Sequence, residues 1–200
     1  MTILGSVRIL AFGLLVLTAA AAGCGNAAEP AASPPAAPAP PVTLQPADLP
    51  ELTARARMLG PHELAADAFA PAALAAILQD GGFVVGSERE FSGHTDAFDH
   101  VLARTLRFSD AAGAQAYLGW LTANAGDLLG KIRPEAPVGL GQDGVAFSLV
   151  RCGTCKKELP TIMAAWRHAA VVGFVLAAGR GTDRDRFGDL AHRLDARISP

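Results

Sequence analysis

The sequence predicts an α+β fold: a mainly antiparallel sheet with helices packed on it, in the order α-β-β-α-β-β-β-α. Three observations carry that expectation. Two stretches with period-two apolar patterning, "GFVVGSEREFS" and "FDHVLARTLRF", stand side by side and are joined by the polar "SGHTDA", as in an antiparallel hairpin. Three more strand-like runs, "GVAFSLV", "TIMAAWRH" and "VVGFVLAA", follow one another. Helical patterning is confined to blocks before, between and after them, so the strands come in runs rather than in strict β-α-β alternation.

Taken in order, "LPELTARARML" reads as a helical turn or two, with continuity broken at Pro61. "PAALAAILQDGG" reads as a helix: Pro71 suits the first turn, Leu74, Ile77 and Leu78 share a face, and Gly81 or Gly82 can end it. In the hairpin, Phe83, Val85 and Phe91 alternate along one strand, and Phe98, Leu102, Leu106 and Phe108 along the other. Ser109 or Asp110 can cap the next helix, whose stripe is Ala114, Tyr117, Leu118 and Leu121, ending near Gly126 or Gly130. The last helix runs over "DRDRFGDLAHRLDARI", with Phe187, Leu190, Ala191, Leu194 and Ile198 on one face and Asp189 and Arg193 as an outer i,i+4 pair.

Ahead of this domain lie two segments of different character. Arg8 precedes an apolar run of about 14 residues, Ile9 to Ala22, shorter than the ~20 needed to span a bilayer. It reads as a secretory signal peptide over residues 1–23. Its end, "AAGC", resembles a bacterial lipobox, with Ala21 in place of the usual Leu. That resemblance implies acylation of Cys24 and a lipid anchor. Residues 24–47 are rich in Ala and Pro, with no large apolar residue before Val42, and read as an extended linker. Residues 48–200 are long enough for one α+β domain with its own core.

Composition narrows the partners. Lys and Arg number 17 against 19 Asp and Glu, a net charge of −2, and loss of Arg8 with the leader makes it −3. No basic tail or stripe is present, which argues against nucleic acid. "GLGQDG" from Gly139 fits G-x-G-x-x-G, but a strand follows it where a dinucleotide site needs a helix. "DRDRFGD" from Asp183 imitates a calcium loop, yet Phe187 takes a ligand position and the twelfth residue is Leu194. "HTDAFDH" holds His94, Asp96, Asp99 and His100, types that suit divalent ions, but it falls on the hairpin turn where solvated polar residues belong. No metal or cofactor is expected.

The stretch "RCGTCKKELP" carries Cys152 and Cys155. Such a pair can be a redox site opened by a helix N-terminus, half of a zinc site, or a staple across a turn. There is no second C-x-x-C to supply the other half of a zinc site. As an oxidised pair in an exported protein it would close a tight loop worth only ~2 kcal/mol. The staple is the reading the residues favour. The same stretch resembles the "C-G-P-C-R-x-E-x-P" segment of membrane-anchored, extracytoplasmic thioredoxin-like proteins, which implies a thiol–disulfide oxidoreductase with Cys152 attacking and Cys155 resolving. Against that, Arg151 stands where that family has Trp, and only 45 residues follow Cys155.

One anomaly points to a ligand. Arg89 shares strand parity with Phe83, Val85 and Phe91; Arg104 and His100 share it with Leu102 and Leu106. Cations then project toward an apolar face, where buried arginine needs partners. Arg89, His100 and Arg104 are the candidate binding residues, suited to a small anionic amphiphile; the alternative is that their stems snorkel to solvent.

The organisation as a whole resembles small exported lipoproteins of actinobacterial type: a lipobox, an Ala/Pro linker and one α+β domain. It is related in style to the extracellular sensor domains of mycobacterial serine/threonine kinases, with "RMLGPHEL" like their helical openings and "AAWRHAAVVGFVLAAG" like their terminal hairpin and helix. The resemblance implies a non-catalytic binding or sensor-like domain, lipid-anchored to the outer side of a bacterial membrane, whose partner is a small amphiphile or another envelope protein. Those sensor domains carry more widely spaced disulfides, so no ligand site transfers.

Overall fold

The computed structural model describes residues 41–66, 68, 70–136, 139–150 and 159–200; Cys24, Cys152 and Cys155 lie outside them. In chain order the elements are β1 (Thr53–Leu59), α1 (Pro61–Ala66), α2 (Pro71–Asp80), β2 (Phe83–Ser92), β3 (His100–Phe108), α3 (Ala111–Leu129), β4 (Ile132–Glu135), β5 (Gln142–Val150), β6 (Pro160–His168), β7 (Val171–Ala178) and α4 (Arg184–Ile198). The class is α+β, as expected. Seven strands form one sheet in the order β1-β2-β3-β7-β6-β5-β4, and every adjacent pair is antiparallel.

The eight expected elements are present from α2 to α4, and two strands are added. β1 replaces the helical turns expected around "LPELTARARML". Ala, Arg, Leu and Met are good helix formers, but Thr53, Arg55 and Arg57 alternate with Ala54, Ala56 and Met58, and pairing with β2 overrides propensity. β4 is four residues long and includes Pro134, so it carries no periodic signal. "GLGQDG" leads into β5 and not into a helix; the register slips between Gln142 and Val145, and Asp143 has φ 51°.

Both faces of the sheet are covered. On one, Leu106, Phe108, Phe147, Met163, Phe174 and Leu176 meet Leu64, Leu74, Leu78, Tyr117, Leu118 and Leu121 from α1, α2 and α3. α3 carries the chain from the centre of the sheet to its far edge across this face. The other face holds Phe91, Val101, Ala164, Trp166, Val175 and Ala177 against Phe187, Leu190, Ala191 and Leu194 of α4. Gly173 makes that contact possible: a Cβ there would lie 2.7 Å from Ile198 Cδ1 and 2.8 Å from Trp166 Cε2. Gly141 serves the same packing, with φ 34° and a would-be Cβ 2.7 Å from Trp166 Cδ1.

Two expectations shift. A bulge between Phe83 and Val85 sends Phe83 to the three-helix face, edge-to-face with Phe108 at 5.7 Å, while Phe91 stays on the α4 face. The domain also begins earlier than residue 48. Leu44 is fully buried on the α4 face, and Thr43 is 2% exposed, so the last residues of the expected linker belong to the fold.

Candidate functional site

The register places a charged row across the three-helix face. Arg57 on β1 lies opposite Glu88 on β2, Glu88 opposite Arg104 on β3, and Arg104 opposite Phe174 on β7. Arg57 Nε donates to Glu88 Oε1 and Arg104 Nε to Oε2, both at 2.5 Å. Arg104 also stands 5.9 Å from the centroid of the Phe174 ring. The Glu88 side chain is 5% exposed. A carboxylate that deep is tolerated because both oxygens accept charge-assisted bonds. Tyr117 of α3 lies close enough to feel the Arg104 charge, but its burial dominates and pushes the phenol above its ordinary value.

One row further along, Arg55 lies opposite Glu90, and Glu90 Oε1 meets His100 Nε2 at 3.0 Å. This row is more open to solvent. A cleft of about 430 Å³ follows it, lined by Arg55, Ala56, Arg57, Glu88 and Glu90.

Arg89 is elsewhere. It lies opposite Ala103 on the α4 face and donates through Nη1 to Gln45 Oε1 at 2.9 Å. The expected cluster of Arg89 with Arg104 and His100 is therefore split: Arg104 and His100 share the three-helix face, and Arg89 is on the opposite side. Arg89 keeps the parity of Phe91, but the bulge takes Phe83 out of phase, and because the sheet buries both faces, shared parity with apolar residues does not bring the cations of the two strands together. Arg89 contributes to a second cleft of about 370 Å³, between residues 41–45 and the other side of β1, with Val42, Ala56, Met58 and Ser87.

The hairpin turn holds a third cavity of about 600 Å³, lined by His94, Thr95, Asp99, Leu159 and Arg180. His94 Nδ1 meets Asp99 Oδ1 at 2.6 Å, which leaves Nε2 toward solvent. The Thr95 hydroxyl is committed to its own turn, donating to the Phe98 carbonyl and accepting from the Ala97 and Phe98 N–H groups. It is not available as a nucleophile. Of the "HTDAFDH" residues, His94 and Asp99 pair with each other and His100 with Glu90, and no group of three metal-ligating side chains converges among the described residues.

The structure also brings together a set that spacing could not reveal. His168 Nε2 contacts Asp195 Oδ1 at 2.6 Å and Ser199 Oγ at 3.1 Å. A nucleophile relay needs the carboxylate and the hydroxyl on different ring nitrogens. Here both fall on Nε2, so the group fastens the end of α4 to β6. Arg193, exposed on α4, donates to the Asp48 carbonyl at 3.1 Å and not to Asp189 as the expected i,i+4 pair.

No helix of the described residues is long and apolar enough to cross a membrane. No family model matches the sequence, and no curated protein matches it. Among solved structures, the crystal structure of the extracellular domain of PknH from Mycobacterium tuberculosis is similar, with a TM-score of 0.48 and 13% sequence identity. The match covers 72% of this chain and 77% of that one. Similarity at that level carries no functional argument.

Proposed function

We propose that this chain is an extracytoplasmic lipoprotein, tethered to the outer side of a bacterial membrane through Cys24, whose domain binds a partner without performing chemistry on it. The observation that carries the reading is the leader itself: a short apolar run ending in "AAGC", then an Ala/Pro-rich stretch, then a fold that starts at Thr43 and Leu44. Two acyl chains on Cys24 would anchor stably where one would not.

The polar groups of the domain support binding over catalysis. Glu88 has both oxygens occupied, the Thr95 hydroxyl is held in its turn, and the Ser199, His168 and Asp195 set is wired to one nitrogen. Arg104 and Arg89 are engaged by Glu88 and Gln45, which favours another envelope protein over a small anionic amphiphile as the partner.

Replacing Cys24 with Ser and fractionating cells tests the tether. The wild type is expected in the membrane fraction with a diacylglyceryl group detectable by mass spectrometry, and Cys24→Ser in the soluble fraction. A variant that remains in the membrane, or a wild type without the lipid, overturns the reading.

A further inference from the structure

The two edges of the sheet are unlike. β4 is four residues long and includes Pro134, which cannot donate to a further strand. β1 is seven residues long, has no proline, and pairs with β2 without a register shift from Thr53 to Leu59. It is paired on one side only among the described residues, and its side chains from Thr53 to Met58 are exposed or half-buried. Such an edge is a template for another strand unless something guards it.

β1 is also flanked by a cleft on each side, and Ala56 and Arg57 belong to both. Added strands gain affinity from main-chain hydrogen bonds and specificity from pockets that take alternate side chains. The chemistry of the two sides differs. On the three-helix side are Arg55 and Arg57; Arg55 has no ion-pair partner among the described residues, and Arg57 is half-exposed beyond its bond to Glu88. On the α4 side are Met58 and Val42, 50% and 52% exposed, two of the three exposed large apolar side chains among the described residues.

We infer that β1 is the docking edge, and that it accepts an extended segment of another protein as an eighth strand. That segment carries acidic side chains opposite Arg55 and Arg57 and apolar ones opposite Ala54, Ala56 and Met58. The inference deepens the binding-domain reading and rests on it. A second copy of this chain fits poorly. In an isologous antiparallel pair, residues on the same face oppose one another, so any register overlapping most of β1 sets an arginine against an arginine. Like charges directly opposite are destabilising.

The test titrates full-length protein in detergent micelles with the peptide Thr-Val-Glu-Val-Glu-Val-Thr and with its counterpart bearing Lys for Glu. Affinity is read by fluorescence anisotropy, and the site by amide hydrogen exchange. The acidic peptide is expected to bind at least about tenfold more tightly, a difference of ~1.4 kcal/mol, and to slow exchange within residues 53–59. Arg55→Glu should abolish the preference between peptides, and Met58→Asp should weaken both, with circular dichroism showing each variant folded. Equal affinity for the two peptides, no binding, or protection outside β1 overturns the inference. So does a dimer that Arg55→Glu dissociates or tightens, because the edge would then belong to self-association. The fate of the Cys24→Ser protein in fractionation is independent of all these outcomes, so failure of the edge and failure of the tether are told apart.

Discussion

Asp48 and Arg197 close the domain on itself: the guanidinium Nη2 donates to Oδ1 at 2.8 Å and Nη1 donates to Oδ2. The pair joins the first turn of the fold to the last turn of α4. The same carboxylate accepts the Gln45 N–H at 2.6 Å. It therefore holds the entry of the tethered chain against the helix that covers the α4 face, next to the buried Leu44.

This joint sets an acid limit. The hydrogen bond from Arg197 holds the Asp48 carboxyl below its ordinary value, against the opposing effect of burial, with help from the Gln45 N–H and the charges of Arg197 and Arg193. The folded pKa lies below the unfolded one, so the contribution is fully present above about pH 4, where the unfolded carboxylate is ionised. It is lost as pH falls through that value toward the folded pKa. Asp48→Asn should lower the urea midpoint at pH 7 and narrow its gap to the wild type at pH 3. A gap that stays constant across that range would show the carboxylate charge to be irrelevant.

Glu88, buried between two arginines, should be costly to remove. Glu88→Ala leaves Arg104, whose side chain is 15% exposed, without its carboxylate and over the Phe174 ring. Breaking a buried pair by removing one partner costs about 3–5 kcal/mol. Arg104→Ala removes one of the two guanidinium donors to that carboxylate and leaves the bond from Arg57. The double variant removes both charges and should cost well under the sum of the singles, which a double-mutant cycle from urea unfolding will read. Strict additivity would mean that the row is held by the sheet register and that the ion pair adds nothing.

How far the sequence announced these features follows from the physics of each. α3 and α4 were legible because their stripes repeat at helical spacing and each begins with an aspartate: Asp110 Oδ1 accepts the Gly113 N–H at 2.9 Å, and Asp183 Oδ1 accepts the Arg186 N–H at 2.8 Å. The central hairpin was legible from alternation. β1 was not, because an edge strand half open to solvent needs no apolar period, and its residues favour helix. The Arg57–Glu88–Arg104 row could not be read either. Parity says which residues share a face of one strand, whereas the row depends on register between three strands, with a bulge at Phe83 shifting the phase. His168, Asp195 and Ser199 come from a strand and a helix that meet only in the folded state.

The cysteine pair remains the point on which the class of the protein turns, and it is proposed here as a structural disulfide. Both cysteines fall in the connection between β5 and β6, which pair antiparallel up to Val150 opposite Pro160. The described chain on either side of that connection is strand, and the chain after β6 supplies β7 and α4 alone. A redox pair draws its low thiolate pKa from a helix N-terminus at the first cysteine, with nearby cations such as Lys156 and Lys157 adding to it. A staple across a hairpin connection needs only that the two sulfurs meet. Because the loop is short, its loss should cost only ~2 kcal/mol and leave a folded domain. The measurement is the reduction potential of the purified protein together with its turnover in insulin reduction by dithiothreitol. A potential well below about −300 mV without turnover is the expected result. A potential at or above roughly −270 mV, with activity abolished by Cys152→Ser, would instead make the protein a thiol–disulfide oxidoreductase on a scaffold unlike thioredoxin.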